Sequence, residues 1–179
     1  MCGRFAIYTP FRRLWQQLGL DLDLPPRYNI APSQDIPIIR LNPSGTYEVV
    51  DAHWGLIPFW AKDRKIGYST INARAETVAE KPAFRAAFMH RRCIIPASGL
   101  YEWQDLGGKQ NQPWFITDTK GDGLAFAGLW ERWIDTTTAE TIDTAPSSLA
   151  LLMTWCASST TDSPTDSPAS CLPSIIATG

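Results

Sequence analysis

The sequence predicts a strand-rich α+β domain in which short helices pack on antiparallel sheets. Three observations point there. Most apolar segments are short, Pro, Gly and Asn clusters break them, and helical spacing occurs in only two places. At 179 residues the chain suits one domain, and at that size folding buries about 70% of the unfolded surface without needing a staple. Hydrophobic residues at 44% and aromatics at 11% exclude global disorder.

Residues 10–20, PFRRLWQQLGL, set Leu14, Trp15 and Leu18 at helical spacing behind Pro10 and stop on Gly19. The stretch 21–34 carries three prolines and reads as a connecting loop. Segments 35–41 and 46–60 read as two strands about the turn NPSG. Residues 81–92 form a second helix with Phe84, Ala87 and Phe88 on one face. Segments 92–104 and 112–118 flank the turn-rich DLGGKQN as a hairpin, and 123–133 is a further strand. Residues 134–148 are expected to be an exposed Thr-rich loop, and 149–156 one more strand. The domain is thus assigned to residues 1–156, followed by a low-complexity tail over 157–179 that is expected to be disordered.

No apolar run approaches the eighteen or so residues of a membrane span, and MCGRFAIYTP lacks the pattern of a secretory signal. The four cysteines, Cys2, Cys93, Cys156 and Cys171, form no CxxC pair, so neither a zinc site nor a disulfide framework is expected, and a reducing cytoplasm is the default compartment. No cofactor motif is visible, and nothing suggests an extensive interface, so a monomer is expected. The net charge of −2 is unevenly spread. Residues 1–92 hold 13 Lys and Arg against 8 Asp and Glu, whereas residues 93–179 hold 3 against 10. A basic half permits a polyanionic partner, although an ordinary solvated surface explains it too.

Among candidate chemical groups, Cys2 comes first. Loss of Met1 would leave an amine and a thiol on one residue, a 1,2-aminothiol that captures aldehydes as a five-membered thiazolidine. Its amine, with a reference pKa near 7.7–8.0, is substantially neutral in the cell. Position 2 taken alone is better read as merely processed, or as a buried cysteine. Glu102, beside Leu100, Tyr101 and Trp103, suits proton transfer if half-buried, and is a solvated strand residue otherwise. Asn72, Arg74 and Glu76 form a polar alternating stretch able to hold a sugar or phosphate, or a surface loop capping a helix. Trp54, Phe59 and Trp60 next to Lys62, Arg64 and Lys65 suit unpaired bases, or a core strand running into a basic loop. His53 and His90 match no catalytic or metal pattern, and Ser98 lacks a nucleophile elbow.

Taken together, MCGRF, YNIAPSQ, WGLIPFWAKD, INARAET and RRCIIPASGLYEW occur in order. From Met1 to about Trp133 the chain resembles the SRAP (SOS response-associated peptidase) family, the abasic-site processing proteins. The resemblance implies a groove for single-stranded DNA, removal of the initiator Met, and a covalent bond from the N-terminal Cys to the ring-opened abasic sugar. It assigns Cys2 as the nucleophile and Asn72 and Glu102 as active-site residues. It further assigns Arg4 and Arg74 to phosphate contact, and Trp54, Pro58, Phe59 and Trp60 to the DNA-binding surface. It implies no metal or small-molecule cofactor, a nucleoid-associated cytoplasmic protein, and a proposed self-processing peptidase activity. One departure is plain. The family carries a late His followed by Arg-Met-Pro, whereas this sequence holds no His after His90. The change to Ser/Thr/Pro-rich sequence points to a frameshifted or truncated product, or to a divergent tail. Residual Cys2-dependent cross-linking is expected if the chain folds.

Overall fold

Two sheets organise the chain, and the segment around Ser98 joins them. The structure, a computed structural model, describes residues 3–108, 111–118 and 120–153. Cys2 and the tail over 157–179 lie outside the described residues. The first sheet has four strands, β1 (Arg4–Ile7), β2 (Arg27–Ile30), β7 (Gly99–Asp105) and β8 (Asn111–Thr117), in the order β2-β1-β7-β8. The second takes β3 (Asp35–Leu41), β4 (Tyr47–Trp54), β5 (Asn72–Ala73), β6 (Arg92–Ala97), β9 (Leu124–Leu129), β10 (Glu131–Ile134), β11 (Thr141–Ala145) and β12 (Ser147–Met153). Their order is β10-β11-β4-β3-β6-β9-β12-β5.

Helix α1 (Arg12–Leu18) buries Leu14, Trp15 and Leu18, as the spacing predicts. Gly19 ends it at φ 65, and the Leu20 amide returns to the Trp15 carbonyl at 2.9 Å, a glycine-terminated helix end. Helix α3 (Pro82–His90) opens on a proline whose fixed φ suits the first helical position, and it buries Phe84 and Ala87. The short α2 (Ala75–Val78) precedes it. The main core lies between the sheets and under α1, where Phe5, Ile7, Phe11, Trp15 and Ile30 meet Ile36, Ile38, Trp54, Ile95 and Phe126. A second cluster of Leu56, Ala73, Val78, Phe84, Ala87 and Leu129 sits under α2 and α3.

Several expectations are corrected. The proline-rich 21–34 stretch contains β2, because Phe5↔Ile30 pairing completes the first sheet. The strand expected over 46–60 stops at Trp54, where Gly55 turns the chain at φ 136. A β-carbon at Gly55 would lie 2.5 Å from the Gly67 carbonyl oxygen, so only glycine permits this approach. The 92–104 segment is two strands in different sheets. Ser98 is fully buried at the crossing, its amide donating to the Ala6 carbonyl at 2.7 Å and its Oγ accepting from the Tyr8 and Thr9 amides at 2.6 and 2.7 Å. The 123–133 segment likewise divides into β9 and β10. Finally, the supposed Thr-rich loop contains β11, which lies parallel to β4 through Thr144↔His53 and Ala145↔Trp54. Its buried Thr144 hydroxyl donates to the Glu131 carbonyl at 3.2 Å and accepts from the Ile57 amide at 3.0 Å, which a solvent loop would not require.

Candidate functional site

Strand β1 lies between two partners, β2 and β7, in the first sheet. Its antiparallel register with β7 sets Arg4 opposite Tyr101 and Phe5 opposite Leu100. One further step along that register sets Gly3 across from Glu102, which is half-buried. Cys2 directly precedes Gly3 in the sequence. Glu102 shares a face of β7 with buried Leu100, the face that looks toward the core between the sheets.

Asn72 is tied to β1 indirectly, through two core contacts. Phe5 packs edge-on against Trp54, with ring centroids 5.0 Å apart. The Trp54 indole N–H donates to the Ile71 carbonyl at 3.0 Å, and Asn72 is the next residue. In the second sheet Asn72 pairs with Ser147, whose hydroxyl donates to Asn72 Oδ1 at 2.6 Å. That bond fixes the orientation of the amide and leaves Nδ2 as its donor side. The Ser147 amide also donates to the Ile71 carbonyl, at 2.9 Å. Ser147 was not anticipated, because it falls in the stretch expected to be a loop. The small hydroxyl residues before LALLM were its only signal.

The aromatic and basic segment divides sharply. Trp54 is 0% exposed and Pro58 is buried, so their side chains form the framework beneath the loop. Phe59 and Trp60 remain 59% and 51% exposed. Their loop is anchored along its length. The Thr70 hydroxyl donates to the Leu56 carbonyl at 2.5 Å, and the Trp133 indole donates to the Ala61 carbonyl at 2.7 Å. The exposed side chains therefore project from a fixed base, beside the strand segment that leads to Asn72. Lys62, Arg64 and Lys65 are exposed on this loop, with Lys65 Nζ 3.7 Å from Asp63. Tyr68, at 69% exposure, joins them and was missed for want of any motif.

Arg4 is half-buried and donates from Nη1 to Asn29 Oδ1 at 2.8 Å, while Arg74 is exposed at the start of α2. His53 is half-buried with Nδ1 3.8 Å from an Asp35 carboxylate oxygen, and His90 ends α3 in solvent. Among the described residues no group of three or more His, Cys, Asp or Glu is placed to hold a metal, and no helix is long and apolar enough to cross a membrane. The arrangement therefore places a carboxyl group on β7, the neighbour of β1, and ties an oriented amide to β1 through Ile71, Trp54 and Phe5. Exposed aromatics and cations lie on the adjoining loop.

Comparison with known proteins agrees with these motifs. Over 138 residues the chain is 47% identical to the abasic site processing protein YoqW of Bacillus subtilis (strain 168), covering 74% of this chain and 61% of that protein. It is 32% identical over 171 residues to the abasic site processing protein HMCES of Rattus norvegicus, covering 74% of this chain and 48% of that one. The chain thus spans about three-fifths of the first relative's length and about half of the second's. The crystal structure of a protein from Bacteroides thetaiotaomicron matches it with a TM-score of 0.68 at 28% identity, covering 82% of this chain and 67% of that one. Residues 1–159 match the family described as SOS response associated peptidase (SRAP). On sequence and fold together, the chain belongs to the SRAP family.

Proposed function

We propose that the protein processes abasic sites in single-stranded DNA by linking itself covalently to the lesion through Cys2 once Met1 has been removed. The observation that carries this is the β1–β7 register, which leads the chain toward Glu102 while Phe5, Trp54 and Ile71 tie the same strand to Asn72. The Cys2 amine adds to the aldehyde carbon of the opened sugar, and loss of one water gives an imine. The Cys2 sulfur then adds to that carbon and its proton passes to the nitrogen, closing a thiazolidine. One water is the only by-product. Glu102 carries protons between these steps, and the Nδ2 donors of Asn72 hold an oxygen of the sugar. An unpaired strand is required because a stacked duplex would keep the lesion from a terminus fixed in the protein. The protein acts as a monomer in the DNA damage response of the cytoplasm, associated with the nucleoid when bound.

The test uses a single-stranded oligonucleotide carrying one abasic site, resolved on a denaturing gel. A shifted band that needs both the lesion and Cys2, and that forms about 100-fold or more slowly in Glu102→Gln, is expected. Intact mass must show that Met1 is gone. A shifted band that survives Cys2→Ala overturns the proposal. So does cleavage of an unrelated peptide without any band, which would favour an N-terminal cysteine peptidase. Binding that disappears on denaturation would favour a non-covalent binder.

A further inference from the structure

Opposite the face that carries Glu102, the four-stranded sheet presents a row of aromatic rings that the chemistry above does not use. Tyr28 on β2, Tyr8 just after β1, and Phe115 on β8 are 63%, 45% and 37% exposed. Tyr28 and Tyr8 stack at 5.6 Å with their planes 22° apart, and Tyr8 and Phe115 stack at 6.3 Å and 30°. Phe115 also leans on Tyr101 of β7 at 4.8 Å. The Tyr101 hydroxyl donates to the Tyr28 carbonyl at 2.9 Å, bridging β7 to β2 across β1. A side chain at Gly99 would run into the Phe115 ring, so glycine there lets the ring lie flat on the sheet. The row is held in place by these contacts, and no described element covers its outer side.

Charge selects the occupant. Strands β1, β2 and β8 contain no Asp or Glu, and their two charged residues are Arg4 and Arg27. On β7, Glu102 lies on the other face, and Asp105, on the face of Tyr101, sits at the strand's far end where its Oδ1 accepts from the Gly107 amide at 2.8 Å. Arg4 stands opposite Tyr101 in the register and bonds Asn29, the neighbour of Tyr28, so a cation and an amide border the rings. Rings on an exposed four-stranded sheet with a flanking arginine are the elements by which such sheets hold two or three unpaired bases. We propose that this face is a stacking platform for unpaired bases of a single-stranded nucleic acid whose backbone passes Arg4. The platform rests on the reading that the protein binds single-stranded DNA, and it adds Tyr8, Tyr28, Tyr101 and Phe115 as base-contacting residues.

The experiment measures fluorescence anisotropy with undamaged single-stranded oligonucleotides, in parallel with the cross-linking gel. Tyr28→Ala, at an exposed position, should weaken binding about 5- to 150-fold. It should leave the salt dependence unchanged, since no phosphate contact is lost. Tyr28→Trp should restore affinity and Tyr28→Leu should not, which separates ring stacking from apolar contact. Affinity within twofold of wild type in Tyr28→Ala, or full rescue by Leu, overturns the platform while leaving the cross-linking proposal intact. Self-association that Tyr28→Ala abolishes without changing oligonucleotide affinity overturns it as well. A wild-type protein that neither binds nor cross-links single strands refutes both proposals.

Discussion

Trp54 and Trp60 lie six residues apart in one motif, yet they should respond to mutation in opposite ways. Trp54 is fully buried against Phe5 and donates to the Ile71 carbonyl, whereas Trp60 is half exposed on the anchored loop. Replacing Trp54 with Phe removes part of a buried ring and leaves a partial cavity, at a cost of about 1–2 kcal/mol. The lost indole hydrogen bond adds about 1 kcal/mol, moderated because the Ile71 carbonyl keeps the Ser147 amide. A total of about 2–3 kcal/mol lowers the melting temperature of a domain this size by about 4–12 °C. Trp60→Ala should change stability by about 0.5 kcal/mol or less, while weakening single-strand binding about 5- to 150-fold if a base stacks there. Calorimetry and oligonucleotide anisotropy on both variants, at a temperature where both are folded, measure the two effects. The reasoning fails if Trp54→Phe melts with wild type yet loses binding, or if Trp60→Ala loses stability and keeps binding.

Three further outcomes follow from the framework. Burial alone would raise the Asp143 carboxyl, but hydrogen bonds and charge from Arg132 and Arg40 outweigh it and hold the group below the usual carboxylate range. Its contribution is therefore complete above the unfolded pKa of about 3.9 and is lost as pH falls through the lower folded value. Asp143→Asn should flatten the acid limb of a stability–pH curve and cost about 1.5–3 kcal/mol at neutral pH; an unchanged acid limb would refute this. Gly55→Ala should destabilise by more than about 1 kcal/mol, because it meets both a positive φ and the Gly67 carbonyl, and urea titration would register it. Burial pushes the Cys93 thiol well above its ordinary range, and the nearby Arg40 charge only partly offsets this. Peptide mapping should find Cys93 unmodified by iodoacetamide in the native protein at pH 8 and modified in denaturant.

The parts of the fold that follow from nearby residues were legible. Leu14, Trp15 and Leu18 with Gly19 specify α1, and the alternation around NPSG specifies the β3–β4 hairpin, because both patterns close within a few residues. Strands β2 and β11 were not legible. Strand β2 is defined by a distant partner, Phe5 for Ile30. Strand β11 pairs antiparallel with the nearby β10, from Glu131↔Thr144 to Ile134↔Thr141, and parallel with the distant His53, but its hairpin signal is hidden in a long Thr- and Asp-rich run. At the site, motifs and chemistry singled out Cys2, Asn72 and Glu102. The hydroxyl of Ser147 that orients Asn72 comes from a residue 75 positions away, beyond any local pattern. Trp54 and Trp60 share one motif, and only the glycine after Trp54 hints that the chain turns between a buried ring and an exposed one.

The strand order of the first sheet also sets a timetable. Strand β1 lies between β2 and β7, so it can pair with β2 soon after synthesis begins, whereas Tyr101 is made about a hundred residues after its partner Arg4. At ribosomal rates of roughly 5–20 residues per second, that wait is about 5–20 seconds. Throughout it β1 has only one of its two neighbours, so one edge of that strand stays open while the rest of the chain is being made.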